Sequence, residues 1–228
     1  MEGARWSRVR PRAPQHRWRR RPALSLDAQR QPLQGAPAQL EPPLLSAFEP
    51  PSPEGRRPDR RIGVLCVGNV LMLDEGVGPR VAAELVERYS FPENVEVLDR
   101  GTMGMALLSD LRRFDVVLLV DAVDNTGKPP GTVVTYLPQD IAPYEAFHGA
   151  HDTRFVDVLE AASLLGCAPE GHCLGVQIQD MSPASYTIGL TPPVEAAVPF
   201  LIECVLGFLE QQGIRLRERQ GGLKGSAN

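Results

Sequence analysis

The features that most readily betray a function are missing from this chain. Its four cysteines (Cys66, Cys167, Cys173 and Cys204) show no C-x-x-C spacing, so cysteine chemistry has no strong signature. Cys66 and Cys204 lie inside apolar runs and read as packing residues, whereas Cys167 and Cys173 read as loop thiols of a reduced cytosol. No glycine follows Gly68 two residues on and no Lys follows Gly76 or Gly78, which excludes a dinucleotide fingerprint and a phosphate-binding P-loop. No Ser/His/Asp or Cys/His pairing is legible as a nucleophile system. No run approaches the roughly 18 apolar residues of a membrane helix, so no membrane insertion is expected. Lysine is absent from the first 61 residues, which hold 13 Arg against 6 acids.

That leader sets the domain organisation. It carries 11 of the 22 prolines and both tryptophans. So Pro- and Arg-rich a segment cannot bury enough apolar surface to offset its ordering entropy. Residues 1–61 are therefore expected to be a disordered extension, an upstream over-read of the start site. The Arg-rich start lacks the apolar run of a signal peptide. It also lacks the aromatic interleaving of a nucleic-acid arm, and the domain that follows is acidic, so no nucleic-acid partner is expected. Residues 62–212 match one ordinary domain, expected to be cytoplasmic, and residues 213–228 read as a frayed tail.

The domain opens on RIGVLCVGNVLMLDEGVG. A β-branched run from Ile62 to Val67 reads as a buried strand. Gly68 and Asn69 turn the chain into a loop bearing Asp74 and Glu75, and helical spacing begins at Val77. Acids in that position also suit capping of the next helix. VEVL from Val95 is a short strand that runs into Asp99, Arg100, Gly101 and Thr102. DVVLLVDAV, from Asp115 to Val123, reads as a central strand covered on both faces, with Asp121 near its carboxyl end. GTVVTYL follows too soon for a helix, which predicts a hairpin with an antiparallel partner. His151 leads a helix that Asp152 or Thr153 caps. HCLGVQIQD is a strand, and Thr191 caps a last apolar helix. The order β-α-β-α-β-β-α-β-α predicts a three-layer α/β/α sandwich with a mostly parallel sheet of about five strands.

In such a sheet Glu75, Asp121 and His151 all fall where ligands collect, at the carboxyl edge. Two carboxylates and one imidazole suit a divalent first-row metal such as zinc or nickel. Small-molecule chemistry, in which Glu75 and Asp121 bind polar groups, stays open at this point.

GNVLMLDEGVG, DRGT, LLVDAV, HDTRFVDVL and IGLTPPVEAAV, in that order, resemble the hydrogenase maturation endopeptidases over about residues 62–212. The resemblance implies an endopeptidase that removes a C-terminal peptide from the nickel-loaded large-subunit precursor of a nickel-iron hydrogenase. It implies no organic cofactor, since the nickel arrives with the substrate. By motif position the metal-contacting and catalytic residues fall on Glu75, Asp121 and His151, with Asp74 as a further catalytic candidate or a support for the loop. The alternative is a module that recognises a nickel-loaded partner without cutting it. His148 rivals His151 but does not continue straight into the helix, and His16 and His172 read as exposed or structural. One departure stands out. The family commonly shows D-G-G-T, and Arg100 replaces the first glycine. Arg100 is strained if that position needs a positive φ. If it does not, Arg100 is free to contact the substrate tail.

Overall fold

The computed structural model describes residues 59–102, 104–136, 155–180 and 183–219. In chain order the elements are β1 (Ile62–Val67), α1 (Val77–Arg88), β2 (Tyr89–Ser90), β3 (Val95–Gly101), α2 (Leu107–Leu111), β4 (Val116–Val123), β5 (Val133–Tyr136), α3 (Phe155–Leu164), β6 (Glu170–Gln177), α4 (Pro192–Gln211) and β7 (Arg217–Glu218). Five strands form one sheet in the order β3-β1-β4-β6-β5. The first four run parallel and β5 is antiparallel to β6. This is the α/β/α sandwich that the element order predicts.

Strand alternation explains the layers. Val116, Leu118 and Val120 of β4 face one way, into a core with Ile62, Val64 and Cys66 of β1, Val81 and Leu85 of α1, and Leu201, Val205 and Phe208 of α4. Val117 and Leu119 face the other way, into a core with Leu65 of β1, Leu107 and Leu111 of α2, and Val158 and Ala162 of α3. Period-two side chains thus bury both faces of β4, which is why its sequence is apolar from Val116 to Val120.

Four expectations are corrected. The hairpin does not form: β5 pairs with β6, because both edges of β4 are already occupied by β1 and β6. The tail is not frayed at 213, since Tyr89–Ser90 pairs with Arg217–Glu218 and the Arg219 N–H donates to the Arg88 carbonyl at 2.8 Å. Cys173 is no loop thiol but sits fully buried in β6, whereas Cys66 and Cys204 are buried as expected. Finally, α4 is long and apolar enough to cross a membrane by length and composition. Its apolar side is spent on the sheet core, so it is a core helix.

At the amino edge of the sheet, Glu170 meets His172 Nε2 at 2.9 Å and Arg60 Nη2 at 2.6 Å. The His172 hydrogen bond first, then Arg60, hold its carboxyl down at about 2. A lowered carboxyl contributes stability that is complete above its ordinary range near 4.5 and is lost as pH falls through about 2. Glu170→Gln should therefore lower the Tm by about 2–4 °C at pH 7 and leave little difference from the parent near pH 2. Thermal melts across that range check it. Equal Tm deficits at both pH values would contradict it.

Candidate active site

The strand order places a switch point between β1 and β4. The chain leaves β1 through α1 on one face of the sheet and reaches β4 through α2 on the other. Connections that part in this way open a crevice at the carboxyl ends of the two strands. Glu75 hangs into that region from the β1–α1 connection and Asp121 from the end of β4. The helix behind them starts flush against the strands. A Cβ on Gly78 would lie 2.1 Å from the Val67 carbonyl oxygen and 3.0 Å from that of Val120, so only glycine allows this approach.

Glu75 is 4% exposed. Asp121 is half-buried, and its removal from water pushes its carboxyl up to about 7. The Ala122 N–H, which donates to Asp121 Oδ1 at 2.8 Å, opposes that rise, and the charge of Glu75 adds to it. The two carboxylates therefore stand close enough to feel each other. Across the sheet Asp121 is in register with Gly175, and the Tyr136 ring lies 3.2 Å from where a Gly175 Cβ would be. Burial, then the neighbouring Cys173 and the Asp121 charge, hold the Tyr136 phenol well above its ordinary value, so it remains a donor. Cys66 is pushed up too, by burial and then by Asp99 and Asp121. A thiol kept protonated in this way is no nucleophile.

Asp74 has a different role from its neighbour. It is fully buried. Its Oδ1 accepts the Thr191 N–H at 2.7 Å, and its Oδ2 accepts the N–H groups of Gln179 and Asp180 and the Thr191 hydroxyl at 2.9, 3.0 and 2.9 Å. Four donors occupy the carboxylate, so the geometry supports the loop-supporting reading rather than a catalytic one. Neither acid caps α1, whose N-cap position is Gly76 with no side-chain cap bond. Thr191 does stand at the N-cap position of α4, but its hydroxyl goes to Asp74 instead of the helix.

Arg100 is not strained. The positive φ in DRGT falls on Gly101, at +50°, and not on residue 100. Nor is Arg100 free for a substrate. Its Nε and Nη2 donate to Oδ2 and Oδ1 of the buried Asp110 at 2.8 and 3.0 Å, tying β3 to α2. His151, its rival His148, and the caps Asp152 and Thr153 lie outside the described residues. Among the described residues no group of three His, Cys, Asp or Glu is placed to hold a metal. Of the expected trio, Glu75 and Asp121 are thus the two seen together. Sequence reasoning missed Tyr136 and Gly175, because their place beside Asp121 depends on strand register. It missed the link from Asp74 to residues 179–191 because backbone donors leave no residue-type signal.

A doubly wound sheet with two neighbouring acids at its switch point and a protonated phenol two strands away fits an α/β enzyme with its site at the carboxyl edge. Comparison with known proteins narrows the class. A model of the hydrogenase maturation protease family (HycI) matches residues 79–208. The hydrogenase 2 maturation protease of Escherichia coli is 36% identical over 70% of this chain and 97% of its own length. The hydrogenase expression/formation protein HupD of Bradyrhizobium diazoefficiens is 34% identical over 72% of this chain and 86% of its own. The solved structure of the hydrogenase maturating endopeptidase HybD from E. coli superposes with a TM-score of 0.64 at 36% identity, covering 70% of this chain and 98% of that one. The chain belongs to the hydrogenase maturation protease family and is an endopeptidase.

Proposed function

We propose that this endopeptidase removes a C-terminal peptide from the nickel-loaded large-subunit precursor of a nickel-iron hydrogenase in the cytoplasm. It recognises the substrate through the substrate's own nickel, docked on Glu75, Asp121 and His151. The observation that carries the reading is the nearness of the two acids. Glu75 and Asp121 share a mostly buried site, and the Glu75 charge helps push the Asp121 carboxyl up to about 7. Like charges held together at such a cost gain most when a divalent cation arrives between them. Oxygen donors plus one imidazole suit a first-row metal, and thiolates of the substrate would supply the remaining ligands.

Glu75 and Asp121 would then hold the substrate's nickel at the carboxyl edge of the sheet, with the scissile bond nearby. The nickel either activates the attacking water or positions the bond while a carboxylate takes the proton. The four bonds to Asp74 argue against that residue as the base.

The test is a cleavage assay with the full chain. Precursor with and without nickel is mixed with the protein and with its His151→Ala variant, and precursor mass is followed. Loss of a C-terminal peptide only with nickel present and His151 intact is expected. Binding without cleavage points instead to a recognition module, and cleavage that ignores nickel defeats the docking role.

A further inference from the structure

Two stretches of loop without a charged residue border Glu75 and Asp121. Residues 69–73 read NVLML and residues 183–190 read PASYTIGL, in a chain that is 23% charged. They are stitched together. The Leu73 N–H donates to the Thr187 carbonyl at 2.9 Å, and the Thr187 N–H donates to the Leu71 carbonyl at 2.8 Å. Met72 and Thr187 thereby face each other in a parallel bridge. The first loop runs directly into Asp74 and Glu75, and Asp74 anchors both ends of the second through Asp180 and Thr191.

Apolar side chains stand out from this frame. Tyr186 is 79% exposed and Ile188 78%, with Val70 at 48% and Leu71 at 41%. A lone exposed apolar residue is ordinary. Four on two stitched stretches without a charge, the first of which leads into Asp74 and Glu75, form a surface kept apolar against solvent. Backbone hydrogen bonds hold the frame before any partner arrives, which lowers the ordering cost of docking. Tyrosine in particular contributes large contact area with few rotatable bonds.

An endopeptidase must seat a polypeptide across the edge where its acids lie, and the rim is continuous with that edge. A charged segment would find no counter-charge within residues 69–73 or 183–190. We infer that the Val70, Leu71, Tyr186 and Ile188 rim docks an apolar, uncharged stretch of the hydrogenase large-subunit precursor next to its cleavage site. The inference rests on the function proposed above and adds a contact that does not involve the nickel.

The test uses the full chain carrying Tyr186→Ser with Ile188→Ser, and separately Leu71→Ser from the facing loop. With nickel-loaded precursor, KM should rise about tenfold while kcat stays within about twofold. With nickel-free precursor, which cannot use the acid pair, the Kd measured by interferometry should weaken by a similar factor. Unchanged Tm values show that the exposed substitutions leave the fold intact. Equal KM and Kd for variant and parent overturn the rim, and so does a fall in kcat at constant KM. If the parent forms a dimer that the variant loses while KM is unchanged, the patch joins two copies and the inference falls. If nickel-guided cleavage fails but nickel-free binding still depends on the rim, the rim stands and the proposed function falls. A parent that binds no precursor in either form overturns both.

Discussion

Glu75→Gln should give a folded protein whose processing of the nickel-loaded precursor is reduced about a hundred- to a thousandfold. The substitution keeps size and shape and removes one charge. In the proposed site that charge is a nickel donor, and a neutral amide is a poor one. Loss of one aligned electrostatic group in a buried site commonly costs about 10²–10³ in rate. The effect on stability should have the opposite sign. Glu75 is 4% exposed, and its charge is among the causes that push Asp121 up to about 7. Removing it relieves repulsion between two carboxylates, so the Tm should stay level or rise by about 1–3 °C. Precursor mass over time reads the first effect and a thermal melt the second. A variant that processes at the parent's rate removes Glu75 from the site, and a Tm drop of many degrees reassigns it to the frame.

Asp74→Ala should behave in the reverse way, with stability lost first. Three backbone N–H groups and one hydroxyl converge on this fully buried carboxylate. Truncation leaves the N–H groups of Gln179, Asp180 and Thr191 without an acceptor in a site too tight for easy hydration. Each stranded donor costs about 1–3 kcal/mol, so a total near 4 kcal/mol is expected after partial relaxation. Asp74→Asn should recover only part of this, because its NH2 group would face donors where an oxygen now accepts. Denaturant unfolding of the three proteins gives the order parent, Asn, Ala. A loss under 1 kcal/mol for Ala would show that the two loops are held by other bonds.

The contrast between adjacent acids shows where the sequence was legible. β4 could be read because its burial is written in its own residues, and its parity survives in the structure as two cores. Glu75 and Asp121 could be paired because one follows a strand and the other ends one, and the strand ends of a mostly parallel sheet share its carboxyl edge. Asp74 was ambiguous because its partners lie 105–117 residues away and are mostly backbone groups. The partner of β5 was misread for a related reason. A short connection favours a hairpin, but the pairing was decided by β1 and β6 competing for the edges of β4. Arg100 shows a third kind of limit. Whether arginine is tolerated in DRGT turned on which of two adjacent residues takes the left-handed backbone, and that residue is Gly101.

The way Asp74 grips its loop has a consequence for how such proteins diversify. It holds Asp180 and Thr191 by their backbones and asks nothing of the side chains at 179 and 180, nor of most residues in between. The segment is thus suspended from two fixed pegs, with one further tether at Thr187. Residues within the span can be exchanged, and the span lengthened around that tether, without moving the acids beneath it. The acid-bearing loop and the suspended segment are thus joined by one carboxylate and by the two backbone hydrogen bonds at Thr187. Sequence change in the suspended segment is thereby uncoupled from the placement of Asp74 and Glu75.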